Sequence, residues 1–160
     1  MNKLQSILVT GSAGQLGQSI QSIASDYPEY EFMFASRQQL DLSNEDCIAM
    51  FFARKTFDVI INCAAHTAVD QAESEAELVN QVNHLAVRQL AAIAKQHQAK
   101  LIHVSTDYVF SGKQHRPYIE TDEVAPHGVY GKTKLHGEQA IQKILTTNAM
   151  IIRTSWIYSE

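Results

Sequence analysis

Tyr130 and Lys134 stand four residues apart in "VYGKTKLHGE", and Thr106 lies upstream at the end of "KLIHVST". Residues at i and i+4 share a helix face, so the phenol and the amine would be neighbours. A free phenol, with a pKa of about 10, is a poor acid and a poor base near neutrality; a nearby ammonium lowers that value by stabilising phenolate. Thr106 adds a hydroxyl that could bond a carbonyl oxygen. The three groups together would make a proton-delivery site beside a hydride donor. The same Tyr–Lys spacing is common on ordinary surface helices, so the surrounding elements must decide between the two readings.

Short apolar runs alternate with stretches of helical period, the pattern of a parallel sheet built from βαβ units. Strands are expected at 6–10, 31–35, 58–62, 100–105 and 149–154, and helices at about 15–26, 44–54, 75–97 and 129–147. Ser74 to Glu77 has the form of a capping box for the third helix. The fold class is α/β, a doubly wound, Rossmann-like parallel sheet with expected strand order 3-2-1-4-5 and a switch point beside strand 1. Ligands of such sheets bind above the C-terminal strand ends. The tyrosine helix follows strand 4 and the long irregular stretch 106–128, so it can fold back towards that rim.

At the first strand end, "GSAGQLG" places Gly11, Gly14 and Gly17 between a strand and a helix, the context a dinucleotide turn requires. The backbone can turn at Gly11, pyrophosphate can approach near Gly14, and Gly17 lets helix and strand pack closely. Gln18 and Ser19 follow where a P-loop needs Lys and Ser or Thr. The alternative is a packing turn with incidental glycines. An acid about 20 residues onward would grip the ribose of NAD. Counting from Gly17 reaches Arg37 beside Ser36, with no acid before Asp41, which suits a 2′-phosphate and favours NADPH while leaving NADH open. Arg37 as a merely solvated charge is the competing reading.

The glycine pattern, the Thr after strand 4 and the Y-x-x-x-K helix resemble the extended short-chain dehydrogenase/reductases. Within them "ILVTGSAGQLGQ", "NCAAHTAVDQAE", "LIHVSTDYVFSG" and "IIRTSWIYS" are similar to the dTDP-4-dehydrorhamnose reductase family, nearly end to end. The resemblance implies a catalytic trio of Thr106, Tyr130 and Lys134 and a pyrophosphate turn of Gly11, Gly14, Gln15 and Leu16. It implies Asp41 and Leu42 beside adenine, Ala64, Ala65 and Thr67 on the nicotinamide side, and Asp107 and Trp156 against the sugar. The implied reaction is NADPH- or NADH-dependent reduction of the C4 ketone of a dTDP-sugar, dTDP-4-dehydro-L-rhamnose, in polysaccharide biosynthesis. The family's chains are longer, so residues 1–160 are expected to form an incomplete NAD(P)-binding domain without the substrate domain, inactive alone. A homodimer of the complete protein is left open.

Other function classes find less support. Dehydratases of this fold resemble T-D-E after strand 4, whereas this chain has Thr106-Asp107-Tyr108. An epimerase or another reductase of the same group remains an alternative, as does a non-catalytic nucleotide-binding regulatory subunit, against which the intact trio speaks. A net charge of -4, with 13 Lys and Arg scattered along the chain, gives no stripe for nucleic acid. No apolar run suits a membrane span or a leader, and Cys47 and Cys63 suit reduced thiols, so a cytoplasmic protein is expected. The seven histidines show no metal-ligand spacing and no metal is expected. His103 reads as a strand residue facing a helix, His66 as a residue bordering the cofactor or solvent, and Asn83 as a solvated residue or an anchor for the strand-4 loop. Strand 5 would form an exposed apolar edge prone to self-association.

Overall fold

The computed structural model describes residues 4–158. β-branched and aromatic runs form five strands, β1 (Gln5–Thr10), β2 (Tyr30–Ala35), β3 (Val59–Asn62), β4 (Lys100–Thr106) and β5 (Ala149–Thr154). All pairings are parallel. The connections carry α1 (Gln15–Ile23), α2 (Glu45–Phe52), α3 (Val69–Ala72), α4 (Ala76–Asn80), α5 (Ala86–His97) and α6 (Val129–Ile144).

The doubly wound parallel sheet is as expected, with a switch point beside β1, but numbering the strands along the chain corrects one placement. The order is β2-β1-β3-β4-β5, so the third strand lies between β1 and β4 and not outside β2. A right-handed crossover is available in either direction, and the choice fixes which face the helix covers. Here α2 crosses back over β1. Its Ile48 and Phe52 join Leu8, Ile60, Leu101, Leu90 of α5 and Ile141 of α6 in the main core. On the opposite face Ile7, Val9 and Val59 meet Ile20 of α1, with Phe32, Phe34, Ile61 and Ile102 partly buried around them.

The expected helix 75–97 is interrupted. A π-helical segment, Gln81–Leu85, joins α4 to α5. Such segments are rare and cluster at functional sites. The capping box is not formed: the α4 cap position is Glu75, and Ser74 Oγ donates instead to Gln71 O, which also accepts from Ser74 N and Glu75 N. No helix among the described residues is long and apolar enough to cross a membrane.

β5 pairs on one side only, with β4, and exposes 57% of Met150 and 43% of Ile152, in register with Ile102 and Val104 of β4. An edge of this kind is a template for strand addition. Size-exclusion chromatography is expected to show mass rising with concentration, and a monomer at every loading would contradict it.

Candidate functional site

The chain passes from β1 to α1 through Gly11, whose φ of 66° lies in the left-handed region. A Cβ there would stand 2.7 Å from Ala64 N, so the approach of the β1 and β3 turns admits only glycine. Gly14 N donates to Gly11 O at 3.0 Å, and Gly17 packs α1 onto this turn. The α1 cap, Gly14, brings no side chain to the first helical turn, and no acidic residue lies there. That end carries the helix's partial positive charge.

Two cavities meet over Gly14. One, of about 250 Å³, is walled by Gly11, Arg37, Asp41, Leu42 and Ala64, among others. Asp41 is held below the ordinary carboxylate range chiefly by its bonds from Ser43, with Arg37 adding to them. The Ser43 hydroxyl lies at 2.7 Å and Arg37 Nε at 3.5 Å from Asp41 Oδ1. The other cavity, of about 490 Å³, takes in Gln15, Leu16 and Gly17 on one side and Thr67, Thr106 and Asp107 on another. Tyr130, Lys134 and Trp156 complete it, while Ala65 borders both cavities. Every residue given a catalytic, cofactor or sugar role from the sequence therefore borders one of two adjoining cavities.

Thr106 ends β4 and its Oγ1 caps the following 3-10 turn, accepting from Tyr108 N at 3.2 Å and donating to Asp107 Oδ1 at 3.2 Å. Burial raises the Tyr130 phenol above its ordinary value; a bond with Thr106 draws it down, and Asp107 and Tyr108 raise it further. Tyr108 packs edge-on against the Tyr130 ring at 5.6 Å.

Lys134 is only 1% exposed. Its Nζ donates to Val104 O at 2.6 Å and lies 3.4 Å from His103 Nε2. Burial pushes this amine down to about 8, against the pull of Glu138. The expectation that Lys134 lowers the phenol is not met in this state. Its nitrogen is taken up by β4, and the tyrosine's own burial dominates.

Several residues that hold the site were read differently or missed. Asn83 is an anchor, but for the β3 loop and not the β4 loop: its amide accepts from His66 N at 2.9 Å and donates to His66 O at 3.0 Å. Asn83 lies in the π segment and is buried. Glu138, fully buried one turn beyond Lys134, accepts from Ser105 Oγ at 2.5 Å and from Arg153 at 2.6 Å. Asn62 accepts from Thr10 Oγ1 at 2.6 Å and reaches His103 Nδ1 at 3.0 Å. A polar residue closing each of the apolar runs "VIIN" and "ILVT" was the one available signal.

Residues 5–160 match the family described as RmlD substrate binding domain. The chain belongs to this family. An RmlD-family relative from Aggregatibacter actinomycetemcomitans, dTDP-4-dehydrorhamnose reductase, is 41% identical over 154 residues, covering 96% of this chain and 52% of its own. A crystal structure of a dTDP-4-dehydrorhamnose reductase from Clostridium acetobutylicum aligns with TM-score 0.91 at 41% identity, covering 97% of this chain and 55% of that one. Another, from Bacillus anthracis in complex with NADP, aligns with TM-score 0.91 at 35% identity, covering 98% and 55%. The chain thus spans about half the length of the RmlD-family relatives it matches.

Proposed function

We propose that this chain is the cofactor-binding portion of a reductase that uses NADPH, or NADH, to reduce the C4 ketone of dTDP-4-dehydro-L-rhamnose to dTDP-L-rhamnose. The observation that carries this reading is the meeting of Thr106, Tyr130 and Lys134 in one cavity that continues over Gly14 to Arg37 and Leu42. The names of the relatives support the substrate class, and the NADP complex of one of them supports the cofactor.

The residues fit a dinucleotide. The start of α1, where the cap residue Gly14 brings no side chain, offers the helix's N-terminal partial positive charge to a pyrophosphate between the two cavities. Asp41 and Leu42 would flank adenine, while Ala64, Ala65 and Thr67 would lie along the nicotinamide. When bound, the cofactor supplies the hydride. Thr106 bonds the ketone oxygen, and Tyr130 gives its proton to the alkoxide as it forms. Burial keeps Tyr130 in the phenol form, which is the form that can donate. Lys134 holds the ribose and replenishes the tyrosine's proton. Asp107 and Trp156, the latter 80% exposed at the mouth, would contact the sugar together with a segment outside this chain.

The deciding experiment is product analysis with an enzyme that carries this chain as its N-terminal half, given dTDP-4-dehydro-L-rhamnose and each cofactor in turn. Stoichiometric dTDP-L-rhamnose is expected, and nucleotide binding without product would point to a regulatory subunit. For this chain alone, Arg37→Ala is expected to weaken NADPH about fivefold, the loss of one exposed charge pair with a 2′-phosphate, and to leave NADH affinity unchanged. Fluorescence titration with both cofactors checks it. Equal losses for the two would remove Arg37 from the phosphate site.

A further inference from the structure

His103 sits in the middle of β4, fully buried, between Asn62 of β3 and Lys134 of α6. The Asn62 amide is oriented by two donors, Thr10 Oγ1 at 2.6 Å and Ala64 N at 3.3 Å, both aimed at its Oδ1. Turning the amide over would set Nδ2 against Ala64 N, donor against donor. The network therefore places Nδ2 towards His103, where it donates to Nδ1 at 3.0 Å. With Nδ1 accepting, a neutral imidazole carries its proton on Nε2. That N–H faces Lys134 Nζ at 3.4 Å. An ammonium has only donors to offer in return, whereas a neutral amine has a lone pair that can accept.

We propose that His103 is a positioning residue for Lys134: Asn62 fixes its tautomer so that an imidazole N–H meets the lysine nitrogen and favours the neutral amine. The proposal rests on the reading of Lys134 as the lysine of the proton-delivery site. Burial and the nearby lysine hold the ring neutral. The groups around the pair do not reverse the argument. Glu138 on α6 favours the ammonium but is shared with Arg153 of β5 and Ser105 of β4. Tyr130 on α6 and Cys63 after β3 are raised by burial and stay protonated. Asn83 of the π segment is neutral and engaged with His66. Val104 O accepts from either form of the lysine. A lysine poised close to its midpoint can both give and take a proton, which is what replenishing Tyr130 requires.

Isotope-labelled chain allows a direct test by NMR. Long-range proton–nitrogen spectra are expected to show the His103 proton on Nε2 at neutral and mildly alkaline pH. In His103→Gln the side-chain oxygen can face Lys134, and the lysine midpoint, followed by its Cε resonance, should rise by about one pH unit, tenfold in the amine-to-ammonium ratio. Asn62→Asp provides a second arm: an acceptor facing Nδ1 should move the proton there and also raise the lysine midpoint. A wild-type proton on Nδ1, or a lysine midpoint that stays put in a folded variant, would overturn the proposal. Neither readout depends on turnover, so an inactive enzyme with the expected tautomer would sink the functional reading alone.

Discussion

Tyr130→Phe is expected to lower turnover by about 10²- to 10⁴-fold, the ordinary contribution of a positioned acid, in an enzyme carrying this chain as its N-terminal half. The substitution removes one oxygen from a ring that is 9% exposed and packed edge-on against Tyr108. The hole is small. Thr106 keeps its bonds to Asp107 and Tyr108 N, so the end of β4 stays in place. Cofactor affinity should change little, because the ribose partner assigned above is Lys134. The fall should therefore appear in kcat at saturating NADPH, with its dissociation constant within about threefold of wild type, less than 1 kcal/mol. Steady-state kinetics beside a fluorescence titration separates the two. Unchanged turnover would assign the proton to another donor, and Tyr108, half exposed in the same cavity, would be the next to replace.

Glu138→Ala should destabilise the chain by about 3–5 kcal/mol, the usual consequence of removing one partner from a buried ion pair. Glu138 is 1% exposed, and Arg153 grips it through Nε at 3.1 Å and Nη2 at 2.6 Å while Ser105 bonds it from β4. Alanine would leave the guanidinium and the hydroxyl without that acceptor. Arg153 keeps 19% of its side chain exposed and lies over the Phe110 ring at 4.9 Å, so some rehydration should bring the loss towards the lower end. Against a typical total of about 5–15 kcal/mol, this is a large fraction. Urea denaturation would register it as a lower midpoint at unchanged slope. Glu138→Leu combined with Arg153→Met should recover most of the stability, since the charge left behind is then gone too. A fall of less than about 1 kcal/mol for the single variant would place the pair among ordinary surface bridges.

That Thr106, Tyr130 and Lys134 border one cavity was legible because their position follows from the alternation of strands and helices. The glycine turn was legible for the same reason: its residues are neighbours in the chain. Strand order was less so. The right-handed crossover rule admits β3 on either side of β1, and only the packing of Ile48 and Phe52 under the sheet decides. Longer-range contacts left still less trace. Asn62 and His103 are 41 residues apart, and nothing in either local pattern announces that they meet. Asn83 read either as a solvated residue or as an anchor for the β4 loop, whereas it holds the β3 loop through His66, from within a π segment that the periodicity did not announce.

The one-sided pairing of β5 gives the sheet a gradient of opening free energy. Amides of β1 and β3, in the middle of the sheet, should exchange with solvent only through global unfolding, whereas β5 can peel away by a smaller, sub-global step. Arg153 travels with that strand. Each opening would strip Glu138 of its guanidinium and leave its carboxylate to Ser105 alone, one helical turn from Lys134. Fraying at the sheet's edge and the charge carried by the lysine are thus thermodynamically linked, and hydrogen exchange of the β5 amides should quicken in step with loss of the Arg153 pair.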